Sequence, residues 1–204
     1  MLITAVEPLK KGLCALFIDG ELAMKLDAET VLAYRFDVGR EIDDDQLHAC
    51  VLASANKRCK DKALWLLSFR DHSRGELFDK LKRDFGDEAA ESAVERCEQL
   101  GLINDRRYAE RYAADLFHLK HLSERGIRRK LLQKGIDRDL IDEVLSEMDV
   151  DEDEALRALI EHKYARSLSD EKGRRRAVAA LQRMGYSYSA IHSALREYID
   201  PEEY

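Results

Sequence analysis

Three stretches of this chain carry one pattern at intervals of fifty residues. Leu77, Ile127 and Ala177 coincide, and so do Leu81, Leu131 and Leu181. Asp87, Asp137 and Ser187 follow, each of a type that caps a helix start. Ala90, Leu140 and Ala190, then Val94, Val144 and Ala194, hold the register. Gly135 matches Gly185; in the first copy Phe85 takes that place and Gly86 follows. Apolar residues three or four apart, an oxygen-bearing cap and a closing glycine are the signature of amphipathic helices. The chain is thus expected to be mostly α, an elongated tandem array of three three-helix repeats. The period is too long for tetratricopeptide or ankyrin repeats.

The central copy, residues 123–135, has the most one-sided charge. Ser123 is its cap, Ile127, Leu131 and Leu132 are its apolar stripe, and Gly135 ends it. Arg125, Arg128, Arg129, Lys130 and Lys134 cover the remainder, with Glu124 the only acid in the helix. Two further basic groups stand out. Arg106, Arg107 and Arg111 open the helix before it, where cations oppose the helix dipole and Asp105 and Glu110 offer local partners. Lys172, Arg174, Arg175 and Arg176 lie fifty residues on, beside Asp170 and Glu171. Guanidinium forks suit phosphates and carboxylates, so these twelve residues are the candidate partner or nucleic-acid contacts.

Residues 1–26 read differently. Short β-compatible runs over 2–6, 13–18 and 21–26 surround Asp19-Gly20, a dipeptide that favours the two-residue hairpin turn. Asp27 can cap a short helix with Val31, Leu32 and Tyr34 available for burial, and Asp43 or Asp44 starts a longer one ending near Lys60. A separate apolar helix over 62–69 holds Trp65, expected in the core. The expected divisions are a small α+β N-terminal domain with a three-stranded antiparallel sheet over 1–60, then repeats over 61–103, 104–149 and 150–204. The third repeat is predicted to have helices over 151–167, 170–184 and 187–199, with Pro201 closing the run.

Composition narrows the function. The 204 residues include 34 basic and 41 acidic ones, a net charge of −7, which argues against indiscriminate nucleic-acid binding. No run of about eighteen apolar residues spans a membrane, and the start MLITAVEPLKKG has no secretory core, so a cytoplasmic protein is expected. Cys14, Cys50, Cys59 and Cys97 form no CxxC pair and read as buried free thiols. His118 and His121 are three apart, but no carboxylate motif accompanies them, and a surface pair is the expectation. Without a glycine-rich phosphate loop, GxSxG or HExxH, the chain is expected to be no enzyme and to need no cofactor or metal. The tyrosines, among them Tyr108, Tyr112, Tyr164, Tyr186 and Tyr188, are expected at core or edge positions.

Four segments in this order resemble the RecX family of bacterial recombination regulators: ALWLLSFRDHSRGELFDKLKRDFG over 63–86, CEQLGLINDRRYAERY over 97–112, RGIRRKLLQKGID over 125–137 and RRRAVAALQRMGYSYSAI over 174–191. The hairpin and the loop at Val38-Gly-Arg-Glu look like the extension of longer members. The resemblance implies a non-enzymatic monomer that binds the RecA recombinase filament, with single-stranded DNA as a second partner, and inhibits filament assembly, ATPase and strand exchange. One departure is Arg70-Asp71-His72-Ser73 where many relatives have Arg-Pro-Arg-Ser; the missing proline is expected to loosen that corner. The alternative reading is a helical DNA-binding transcription regulator. Against it, the third helices of the repeats are acidic or mixed.

Overall fold

The structure, a computed structural model, describes residues 1–198. The expected end of the last helix at Ile199 and Pro201 lies outside the described residues. The chain divides into two compact units, Met1–Ile103 and a second beginning at Asn104.

The first unit opens with β1 (Ile3–Pro8), β2 (Leu13–Ile18) and β3 (Glu21–Asp27), an antiparallel sheet in the order β1-β2-β3. Alternation along the strands sends Ile3, Cys14, Leu16 and Leu26 into one core with Val31, Phe36 and Ile42. Asp19 and Gly20 both take positive φ, 51° and 90°, the primed hairpin turn that the dipeptide predicts. The Asp27 carboxylate caps α1 (Ala28–Ala33), accepting from the Thr30 N–H, the Thr30 hydroxyl and the Lys57 ammonium, each at 2.9 Å. Burial raises the Asp27 pKa, but these donors together outweigh it and hold the carboxyl below its ordinary value.

One helix then replaces the expected two. α2 (Asp44–Leu67) runs unbroken for 24 residues, opened by an Asp43–Gln46 capping box. Lys60-Asp61-Lys62 offers neither glycine nor proline to stop it. Its first half buries Cys50 with the sheet; its second half buries Cys59 and Ala63 against α3 (Arg74–Phe85) and α4 (Asp87–Gln99). A helix that changes partner midway has no single apolar face. This is why periodicity misplaced Trp65, which is 52% exposed. It packs edge-on against Phe69, ring centroids 4.7 Å apart, under the Lys62 ammonium at 4.1 Å. Leu32 is likewise outside, 73% exposed. All four cysteines are buried free thiols; burial, with a second thiol nearby, pushes Cys50 and Cys59 up to about 11.

The corner without proline is firmly held. Arg70 grips Glu76 with both arms of its fork, at 2.7 and 2.9 Å, and Ser73 accepts from the Glu76 N–H to cap α3. His72 is buried, its Nδ1 donating to the Arg70 carbonyl at 3.0 Å. Burial, partly offset by that hydrogen bond, lowers its pKa.

The second unit holds two bundles. α5 (Asp105–His118), α6 (Glu124–Leu132) and α7 (Arg138–Glu147) surround Ala109, Ala113, Ile127, Leu131, Ile141 and Val144. α8 (Glu152–Leu159), α9 (Glu171–Met184) and α10 (Tyr188–Leu195) surround Leu156, Ile160, Ala177, Leu181, Ile191 and Leu195. The helix expected over 151–167 is not a single α-helix. After α8 the backbone widens into a π turn (Ile160–Tyr164) and tightens into a 3-10 turn (Ala165–Ser167). Leu119 is 67% exposed because it lies past the end of α5.

The two bundles are joined backbone to backbone. The Ser123 N–H donates to the Met184 carbonyl at 3.2 Å, and the Tyr186 hydroxyl donates to the His121 carbonyl at 3.1 Å. A Cβ at Gly126 would lie 2.1 Å from that Met184 oxygen. Gly185 turns the chain at φ +106°, where a Cβ would sit 2.4 Å from the Ser123 hydroxyl.

Gly126→Ala is therefore expected to destabilise the second unit by about 2–3 kcal/mol in urea unfolding, the cost of overpacking against backbone. Gly101→Ala, strained in φ but facing open space, should cost about 1 kcal/mol. For His72, the unfolded chain takes up a proton near 6.5 and the folded chain only at lower pH. The unfolded state then binds more protons, so stability is full above about pH 6.5 and declines below it. Thermal melts between pH 7.5 and 5.5 should show this slope, and His72→Gln should flatten it.

Candidate partner-binding surface

All twelve candidate cations lie in the second unit, yet tertiary packing sorts them into neutralised and available charges. Arg106 stands at the start of α5 and reaches three carboxylates: Glu110 at 3.1 Å, and Glu143 and Glu147 of α7 at 2.8 and 2.6 Å. The hydrogen bonds to Glu147 and Glu143 raise its pKa further. This residue ties α5 to α7. Arg107 is exposed, and its side chain has no partner among the described residues; Arg111 is exposed on the same helix.

On α6, Arg128 is half-buried and bonds to Asp142 of α7 and to Glu124 at 3.1 Å. The bond to Asp142 is the main cause of its raised pKa. The absence of matching acids, inferred from α6 alone, does not hold in three dimensions. Arg129 donates to the Arg183 carbonyl at 2.8 Å and so caps the negative end of α9. Lys130 reaches Gln133 at 3.4 Å, and the Lys134 ammonium sits 6.0 Å from the Tyr112 ring centre. Arg125 is exposed without a partner among the described residues.

On α9, Arg175 pairs with Glu171 and Arg174 is half-buried. Lys172 and Arg176 are exposed and without partners among the described residues. Lys172, Arg176 and Arg183 are four and seven residues apart, one stripe of α9. Arg125 and Arg129, four apart, form a stripe of α6. The Arg129–Arg183 contact makes the two stripes continuous. The result is a basic ridge of five residues crossing the joint between the bundles. Neither stripe contains a carboxylate: Ala179 and Ala180 lie between Arg176 and Arg183, and past Arg129 the α6 stripe continues with Leu132 and Gln133, Leu132 being 42% exposed and not in the apolar stripe expected of it. Arg183 escapes a reading that looks for clusters because it stands alone in sequence.

The tyrosines behave mostly as packing groups. Tyr108, Tyr112 and Tyr164 lean on the cores, Tyr186 is buried, and Tyr188 alone of this group is exposed. Such a ridge can hold anionic groups, phosphate or carboxylate, through guanidinium forks. Among the described residues no three His, Cys, Asp or Glu side chains gather to hold a metal ion. No described helix is long and apolar enough to cross a membrane.

Comparison with known proteins locates the repeats independently. Profiles for the first, second and third three-helix domains of RecX match residues 59–97, 104–145 and 151–195. A "Regulatory protein RecX" of Streptomyces lividans is 35% identical over 143 residues, 68% of this chain and 76% of that protein. The protein of the same name from Caldanaerobacter subterraneus subsp. tengcongensis is 32% identical over 167 residues, 80% of this chain and 84% of its own. A crystal structure of RecX from Lactobacillus salivarius superposes with a TM-score of 0.58 at 26% identity, over 72% of this chain and 97% of that one. Another crystal structure of regulatory protein RecX shares the fold over 96% of this chain and 98% of its own, with a TM-score of 0.63 at 24% identity.

The sorting of charges predicts unequal effects on stability. Arg129→Ala removes a cation from the end of α9 and should cost about 0.5–1 kcal/mol in urea unfolding. Arg125→Ala should change stability by no more than about 0.5 kcal/mol.

Proposed function

This chain belongs to the RecX family, and from that membership we propose that it binds the RecA–single-stranded DNA filament and inhibits its assembly, ATPase and strand exchange. Relatives carrying the name are called regulatory proteins. The observation that carries the proposal is the basic ridge of Arg125, Arg129, Lys172, Arg176 and Arg183. A chain of net charge −7 keeps these cations together, and three of them, Arg125, Lys172 and Arg176, lack partners among the described residues. Both filament carboxylates and DNA phosphates are chemical matches for it.

The proposed action is binding alone, by a monomer, in the cytoplasm and without catalysis. It favours a filament state that neither grows nor exchanges strands. Residues 61–103, 104–149 and 150–204 serve as the three repeats, with 1–60 as an N-terminal extension. The competing DNA-binding regulator draws little support from the geometry. Of the carboxylates that the third helix α7 exposes, Asp142, Glu143 and Glu147 are paired with Arg128 and Arg106 and Asp139 stands beside them, so α7 offers a DNA groove no basic face.

The test is inhibition of the cognate recombinase's DNA-dependent ATPase. Arg125→Glu/Lys172→Glu/Arg176→Glu is expected to raise the concentration needed for half-inhibition at least about tenfold, with circular dichroism unchanged. Arg106→Gln, whose charge is already neutralised, should inhibit as the parent does. Full inhibition by the triple variant would remove the ridge from the interface. A sequence-specific shift of duplex DNA in the absence of recombinase would favour the regulator reading instead.

A further inference from the structure

A cleft of about 680 Å³ opens between the end of α5 and the helix formed by α8 and its π turn. It owes nothing to the basic ridge. Four polar side chains line it: His118, His121, His162 and Lys163. The first two are the pair three residues apart in sequence; the fold adds the others from forty residues away. The remaining lining is apolar, led by Phe117, Leu119 and Leu159, and no carboxylate takes part. We infer that this cleft is a binding site for a phosphate monoester carrying a flat apolar group, that is, a nucleotide, free or at the 5′ end of a strand.

Three local features place the polar groups there. The first is His121 itself. It follows α5 at φ +54°, with the Leu122 N–H bonded to the Leu116 carbonyl, a helix C-terminus normally finished by glycine. Comparable helix ends in this chain use Gly101, Gly135 and Gly185. A histidine here bears a backbone cost that glycine avoids, and the Tyr186 hydroxyl on its carbonyl holds it in place. The second feature is the π turn. Its extra residue per turn rotates His162 and Lys163 relative to a regular helix, and such turns concentrate at functional sites. The third is the edge-on contact of His118 with Phe117, centroids 5.1 Å apart, which orients that imidazole.

The chemistry selects the ligand. Three imidazoles could suggest a metal, but the described residues hold no group close enough to share one. Each imidazole instead offers an N–H donor in any protonation state, and Lys163 offers three. The end of α5, the loop after it and the π turn each supply donors to the cleft lining with no carboxylate among them, and a phosphate monoester offers such a set three terminal oxygens where a carboxylate offers two. The apolar floor, with Ala155 and Ala158 leaving room beside Leu159, accepts a flat ring. A mostly apolar cleft of this volume with a few polar groups in its lining is the usual form of a small-ligand site.

The experiment follows the histidine ring signals by NMR in the full-length protein. The probes are AMP, adenosine, and a thymidine hexamer with and without a 5′-phosphate. AMP is expected to shift the His118, His121 and His162 signals saturably, and adenosine to leave them unmoved. His162→Ala/Lys163→Ala should weaken AMP binding at least about tenfold. His121→Gly should weaken it too while melting no lower than the parent, which separates a ligand role from a structural one. A response to the phosphorylated hexamer but not to its unphosphorylated form identifies strand ends as a further source; a response to AMP alone identifies the free nucleotide. Equal shifts with adenosine and AMP, AMP binding unchanged in the double variant, or no shift at millimolar AMP would each overturn the assignment. None of these readouts involves the recombinase, so the proposed filament contact stands or falls separately.

Discussion

Helices of nine residues, as in α6, or fourteen, as in α9, are marginal in water, and this chain stabilises them by burying stripes and satisfying helix ends. Ser73, Ser123, Asp137, Asp170 and Ser187 each accept a backbone N–H at a helix start. At the joint of the second unit the same need is met between helices. The N-terminal end of α6, rich in unpaired N–H groups, meets the C-terminal end of α9, rich in unpaired carbonyls. The Ser123–Met184 and Arg129–Arg183 bonds satisfy both ends, and Gly126 and Gly185 allow the backbones to approach. The basic ridge exists because this contact places the end of one stripe beside the start of another.

Charge in this protein serves two purposes that one residue type conceals. Arg106 and Arg128 fasten α7 to its neighbours, and the acidic side chains of α7 are their counterparts. Arg125, Lys172 and Arg176 are left exposed. Exposed pairs of the first kind contribute little to stability each, yet they decide which cations remain available for a partner. The ridge is accordingly narrower than the basic clusters of the sequence, and it includes Arg183, which belongs to none of them.

The repeat was legible because each copy carries its own caps, stripe and terminal glycine, all local signals. The hairpin was legible for the same reason, since Asp19-Gly20 needs two positive φ values that few dipeptides adopt readily. The continuous α2 was not, because its apolar face rotates where it passes from the sheet to the first bundle. The π turn after α8 left no mark either: Ile160–Tyr164 contains neither glycine nor proline, and its helical spacing continues past the bulge. His118 and His121 could be noticed in sequence, but nothing there connects them with His162 and Lys163.

The sequence by itself determined the repeated pattern: the capped helix starts, the buried stripe positions Leu77, Leu81, Ile127, Leu131, Ala177 and Leu181, and the concentration of basic residues in the second and third copies. These follow from periodicity and capping, which act over a few residues. Only the tertiary structure decided which of those charges are available, because the carboxylates that neutralise Arg106 and Arg128 lie on α7, fourteen to forty-one residues away along the chain. It also decided that α6 and α9 share one basic surface and that three histidines line one cleft. Coulombic and hydrogen-bonding partners are chosen by distance in space, and sequence separation does not report it.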